Sequence, residues 1–308
     1  MKKPARKTLG YTGRLAVLLA GSLIAIALAL GIAVCRFMFP ARTGESQDAA
    51  PEIPAALVFV IDDAGHNLED LEPFLRFPGP LTIAVLPGLP YSEEAARRIR
   101  AAGKEVFLHQ PMEALGGEDP GPGAVYTGME ADEIRAVIGR NLDEVWPAAG
   151  MNNHQGSKIT GDGAIMEIVL ELCRERGAVF VDSKTTPDSA APAAAARMGM
   201  VIAERDVFLD NIQTKESIRR YLREGLALAD AAGSAVMIGH AHSPDLAAVL
   251  EEFYPGLIDK GYSLVTASQF IERRSAVPPV AVPPGGIPPV QLPAEGLTGE
   301  PAPEEVPR

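Results

Sequence analysis

The chain has 308 residues, 47% of them hydrophobic and 22% charged, with a formal net charge of −12. That acidity, with no basic stretch interleaved with aromatic residues, argues against a nucleic-acid partner. Its cysteines are Cys35 and Cys173, too few for a disulfide framework.

The first fourteen residues carry Lys2, Lys3, Arg6, Lys7 and Arg14 and predict a cytoplasmic basic segment. An uncharged apolar run then covers 15–35. At about 1.5 Å per residue it is ~30 Å long, one hydrocarbon thickness, which predicts a transmembrane signal anchor over 15–36. A cleavable signal peptide has a shorter apolar core followed by small residues. Val34 stands before Cys35, which argues against a lipidation site. By the positive-inside rule the rest of the chain lies on the outer (periplasmic) side of the inner membrane, held there by a single pass. Residues 37–54 are polar and contain proline, a linker.

The first strand signal is Leu57-Val58-Phe59-Val60-Ile61, running into Asp62-Asp63-Ala64-Gly65-His66. β-Branched and aromatic residues favour a strand, and Gly65 allows a sharp turn. Strand residues alternate in face, so the alternation predicts that the two carboxylates point to opposite sides and take different roles. A helix N-cap is the ordinary alternative for an aspartate here. Strand 81–85 follows, then a helix over 93–102 capped by Ser92 and stopped by Gly103. Residues 105–108 form a strand ending at His109. Thr127 and Glu130 have capping-box spacing before a helix that ends near Trp146 and Pro147. Gly150-Met151-Asn152-Asn153 precedes His154. An amphipathic helix covers 165–176 and stops at Gly177; Cys173 lies on it and reads as core. Strand 178–181 ends in Asp182-Ser183-Lys184-Thr185. Strand signals at 200–202, 235–238 and 262–265 complete a series of about seven or eight. Beyond 274 come Val277-Pro278-Pro279, Val282-Pro283-Pro284 and Ile287-Pro288-Pro289. Residues 275–308 are therefore a disordered Pro-rich tail, a spacer or a partner-binding segment.

Alternating strands and helices mean parallel strands with helices outside, as a barrel or a doubly wound sheet. No glycine-rich phosphate loop favours a nucleotide enzyme. In such folds chemistry gathers at the carboxyl ends of strands. The chain has five histidines, His66, His109, His154, His240 and His242, and none sits in mid-helix. Any one of them can be an ordinary core or loop residue. Together they read as a site, because imidazole is the commonest metal ligand and acid–base group.

Several segments resemble the divergent polysaccharide deacetylase family: Ile61-Asp62-Asp63-Ala64-Gly65, Leu108-His109-Gln110-Pro111-Met112-Glu113 and Gly150-Met151-Asn152-Asn153-His154-Gln155-Gly156-Ser157. So do Phe180-Val181-Asp182-Ser183-Lys184-Thr185, Arg205-Asp206-Val207-Phe208-Leu209-Asp210-Asn211 and Gly239-His240-Ala241-His242. The resemblance implies a distorted (β/α) barrel of about seven parallel strands, with the family's domain over 55–274. It also implies that Asp62 is the general base and that Asp63 binds a divalent metal, zinc or a similar ion. The wider superfamily takes two further ligands from a His-x-x-x-His segment. Here His109 matches the first, but Glu113 stands at the second. Glu113 and His154 are alternatives for the third ligand. His154 is preferred, with Glu113 an acceptor that orients a ligand. His240 matches the superfamily's acid, and His242 shares its face if the strand continues. Asp182 and Asp210 are candidates to orient His240 or contact sugar hydroxyls. The implied reaction is removal of N-acetyl groups from a cell-envelope polysaccharide. The missing second histidine leaves an alternative: an inactive, membrane-anchored scaffold that holds metal or glycan, with the tail as its working part.

Overall fold

Short runs of β-branched and aromatic residues separated by helices with charged outer faces fold here as successive parallel strands, each returned by a helix. The computed structural model describes residues 54–276; the apolar run 15–35 and the proline-rich tail from 277 lie outside these. In chain order the elements are β1 Ala56–Ala64, α1 Glu72–Arg76, β2 Thr82–Val85, α2 Ser92–Ala101, β3 Glu105–Met112 and α3 Ala131–Glu144. Next come β4 Gly150–Gln155, α4 Gly163–Arg176, β5 Val179–Asp182, α5 Ala191–Arg197, β6 Ala203–Glu204 and β7 Val207–Phe208. The last are α6 Lys215–Ala232, β8 Ser234–His240, α7 Pro244–Asp259, β9 Ser263–Val265 and α8 Ala267–Ala276. Among the described residues no helix is long and apolar enough to cross a membrane.

The strands run in the order β6-β5-β4-β3-β2-β1-β8-β7, with β9 pairing the start of β1. All the ladders are parallel. The two ends of this order, β6 and β7, are separated only by Arg205 and Asp206. The Arg205 amide donates to the Asp182 carbonyl at 2.9 Å, and the Asp206 amide to the Val236 carbonyl at 2.8 Å. One passage of chain, 203–208, therefore serves both edges of the curled sheet. Counting it as one stave with β1 to β5 and β8 gives the seven-staved distorted barrel expected. The strand expected at 200–202 is the two-residue ladder at Ala203–Glu204.

Alternation along β1 sorts the core into two layers. Leu57, Phe59 and Ile61 face outward into the cluster under the helices. Val58 and Val60 face inward, with Ala84, Phe107, Val181, Val236 and Ile238. Phe270 and Ile271 of α8 join that inner cluster. The start of α8 is held at the amino ends of β2 and β3: the Ala267 amide donates to Thr82 Oγ1 at 2.9 Å, and the Ser268 hydroxyl donates to Glu105. Helix α8 thus closes the barrel below, and the opposite mouth carries the site.

Two helix starts differ from expectation. Ser92 donates to the Leu86 carbonyl and accepts from the Leu89 amide, tying the loop before α2, while Tyr91 holds the cap position. The capping box of α3 is formed by Glu130 with Glu133, because Thr127 is engaged by Glu113.

Candidate metal centre

On β1, Asp62 follows Val60 on the inner face and is the cross-strand partner of His240 on β8. Simple alternation would send Asp63 outward. Instead the β1–β2 register slips between Ile61 and Ala64, and Asp63 takes a left-handed φ of 63°. Such a conformation costs a non-glycine residue roughly 1–2 kcal/mol and is tolerated best by Asp and Asn. Gly65, at φ 120°, completes the turn in a region that L side chains rarely enter. The bulge brings both carboxylates to one imidazole: His109 Nε2 lies 3.7 Å from Asp62 Oδ2 and 3.2 Å from Asp63 Oδ1. The expected opposite-facing arrangement is thus corrected, since a bulge re-aims the side chain at a strand end.

His109 pairs with Asn152 across the β3–β4 ladder, and His154, two residues on, lies on the same side. His154 Nδ1 is 3.1 Å from His109 Nε2 and 3.1 Å from Asp63 Oδ1. With the 3.2 Å separation of Asp63 Oδ1 from His109 Nε2, the three atoms form a nearly equilateral triangle. Asp63 Oδ1 is buried and makes no hydrogen bond despite these approaches, as expected where lone pairs converge on a common point rather than on each other. A tetrahedral ion about 2.0 Å from each ligand spaces its ligands by roughly this much. Among the described residues, Asp63, His109 and His154 are the group able to hold a metal ion. Two imidazoles and a carboxylate also leave a coordination position open, the pattern of catalytic rather than structural sites. Burial alone would raise the Asp63 carboxyl, but contact with His109 and His154 outweighs it and holds it well below the usual range. The fit holds for the residues present.

Asp62 differs. It is buried, which pushes its carboxyl up against the lowering influence of His109, His240 and the hydrogen bond from Asn152. His240 Nδ1 stands 2.9 Å from Asp210 Oδ1, and the His240 amide donates to Asp210 Oδ2 at 2.8 Å. Burial would lower the imidazole, yet Asp210 prevails and it is pushed up to about 9. Phe208 stacks on the ring at 5.9 Å, and the Arg205 guanidinium covers Phe208 at 3.8 Å. With Nδ1 engaged, Nε2 of His240 is the free nitrogen. His242 reaches the same mouth from the turn after β8 rather than by continuation of the strand. It is exposed, with Nδ1 3.7 Å from Asp63 Oδ2.

Two candidates lie elsewhere. Glu113 accepts from Lys158 Nζ at 2.6 Å, from the Thr127 amide at 2.8 Å and from Thr127 Oγ1 at 2.6 Å. These partners hold its carboxyl down to about 2. It anchors a loop and does not orient a ligand. The reason is local, since Lys158 takes one of its carboxylate oxygens and Thr127 the other. Asp182 follows Val181, which faces inward, so it turns to the outer face, where it accepts the Lys184 amide at 2.8 Å. It does not orient His240; that partner is Asp210. Sequence reasoning missed Asn152, whose amide touches both His109 and Asp62, and Ser183, which lies 3.2 Å from Asn152 Nδ2. Period-two spacing from His154 and from Val181 would have placed both on the inner face.

Residues 59–271 match the family model for divergent polysaccharide deacetylases. The chain is 32% identical over 240 residues to the uncharacterized protein YibQ of Escherichia coli (strain K12), an alignment covering 76% of this chain and 75% of that one. It is 28% identical over 223 residues to an uncharacterized Haemophilus influenzae protein, covering 72% and 79% of the two chains. A crystal structure of an uncharacterized Agrobacterium tumefaciens C58 protein shares the fold, with a TM-score of 0.65 at 21% identity over 71% of this chain and 89% of that one. By its sequence over the barrel, this chain belongs to the divergent polysaccharide deacetylase family.

Proposed function

We propose that the chain is a metal-dependent hydrolase that removes N-acetyl groups from a cell-envelope polysaccharide. The observation that carries this reading is that the Asp63–His109–His154 triangle and the cross-strand pair Asp62 and His240 share one inner rim of the barrel. The family supports the acetylated polysaccharide as substrate. The predicted anchor over 15–36, outside the described residues, supports the envelope as its location.

Asp63, His109 and His154 would hold a divalent ion, zinc by the donor set, which would supply Lewis acidity and lower the pKa of water. Asp62, ionised, takes the proton of the attacking water through Oδ2, because Oδ1 accepts from Asn152. His240, cationic below pH ~9, gives its Nε2 proton to the departing sugar nitrogen, and Asp210 holds the ring through Nδ1. A C–O bond forms, the amide C–N bond breaks, and acetate and a free amine leave. Asp62 and His109 are buried, which strengthens these charge interactions, while His154 and His240 are half-buried at the mouth.

The test is acetate release from N-acetylated oligosaccharides, with Asp62→Asn and His240→Ala beside the wild type. Each variant should lose about 10²–10⁴-fold in rate with metal still bound. Variants as active as the wild type would overturn these assignments.

A further inference from the structure

We propose that Asn152 is the positioning residue that locks the metal-binding face of His109 and the Asp62 base into one hydrogen-bonded unit. This rests on the function proposed above and adds a residue that neither role contains. Asn152 is fully buried. Its Nδ2 donates to Asp62 Oδ1 at 2.8 Å and to Ser183 Oγ at 3.2 Å, and its Oδ1 stands 2.8 Å from His109 Nδ1.

A side-chain amide has one donor end and one acceptor end. An ionised Asp62 can only accept, so the NH2 end must face it; the flipped amide would set two oxygens against each other at that distance. Ser183 Oγ takes the second amide hydrogen. The Ser183 backbone is itself fixed by donating to Asn153 Oδ1 at 2.9 Å. The carbonyl end is thereby left for His109 Nδ1, which must carry a proton to satisfy it. In the neutral form that metal binding requires, His109 consequently presents its lone pair at Nε2, the atom that faces Asp63 Oδ1 and His154 Nδ1. The same amide occupies Asp62 Oδ1 and leaves Oδ2 as the working oxygen. One side chain thus decides which imidazole nitrogen faces the metal and which carboxylate oxygen faces the substrate.

The test uses the full chain labelled with 15N-histidine and loaded with zinc, as wild type, Asn152→Ala and Asn152→Asp. Ring-nitrogen shifts should show His109 of the wild type bound through Nε2 and protonated at Nδ1. Asn152→Ala should blur that pattern and weaken zinc affinity about 10–100-fold, the usual cost of removing a residue that orients a ligand. Asn152→Asp keeps an acceptor for Nδ1–H but places a like charge beside Asp62. It should retain the His109 pattern and zinc affinity while kcat falls at least tenfold and KM stays level. That split is not what a general folding defect produces, and thermal melts of both variants check for one. Zinc bound through Nδ1 of wild-type His109, or both variants matching wild type in ring pattern, affinity and kcat, would overturn the proposal. Wild type that binds zinc through Nε2 but releases no acetate would count against the function alone, leaving the ring pattern and zinc affinity of Asn152→Ala to decide the role of Asn152.

Discussion

Asp62 and Asp63 are neighbours of identical chemistry whose surroundings push their carboxyls apart, burial raising the first and two imidazoles lowering the second. Divergence of this kind separates a proton acceptor from a ligand. Asp63→Ala should abolish zinc binding by calorimetry together with acetate release, whereas Asp62→Asn should bind zinc as the wild type does. His240 offers a second check. Removing the Asp210 charge in Asp210→Asn should let the imidazole fall from about 9 toward its ordinary ~6.5, seen by NMR titration and as an alkaline limb of the rate profile moved to lower pH. The sign for stability follows from the same shift. A raised histidine pKa contributes stability that is complete below pH ~6.5 and is lost as pH rises through about 9. Asp210→Asn should therefore destabilise most in mildly acidic buffer and least above pH 9.

Among the elements, β4 brings Asn152 and His154 to the mouth, and its fit depends on Gly150. A Cβ there would meet Phe107 Cζ at 2.5 Å and the Val179 carbonyl oxygen at 2.6 Å. Gly150→Val should cost about 1–3 kcal/mol through overpacking and also weaken zinc binding, because β4 must shift. By contrast Asp162 caps α4 by accepting the Ala164 and Ile165 amides and bonds to none of the three candidate ligands. Asp162→Ala should cost about 1 kcal/mol and leave zinc affinity unchanged. The inner and outer faces of β1 and the stop of α4 at Gly177 were legible in the sequence, because period-two alternation and a left-handed glycine are local signals. The bulge at Asp63 was not. It depends on the register with β2, a tertiary pairing that no local pattern records. Thr127 looked like a cap for the same reason, since only the fold shows that Glu113 holds it. The two-residue strands β6 and β7 are too short to carry a period.

At the scale of the whole barrel, the histidines at or just beyond strand ends and the alternation of parallel strands with helices could be read from the sequence, which left a barrel and a doubly wound sheet both open. The order of the staves rests on pairings that no local pattern records. What could not be read was which strand-end aspartate turns inward. Asp182 and Asp210 look alike in sequence, and only the curvature that closes the sheet through 203–208 sets Asp210 against His240. That same closure, with α8 below, leaves one mouth in which the proposed metal ligands, base and acid meet. A metal that binds only this folded arrangement should also stabilise it by mass action, by about 2.7 kcal/mol at a hundredfold excess over Kd. Stepwise zinc titration of the metal-stripped chain, with acetate release from an N-acetylated oligosaccharide followed at each step, tests the proposed chemistry most directly. The rate should climb in proportion to occupancy, level off at about one ion per chain as a three-ligand catalytic site requires, and vanish in Asp63→Ala. One ion bound per chain with no acetate released across a panel of N-acetylated glycans, or equal release in the presence of chelator, would contradict it.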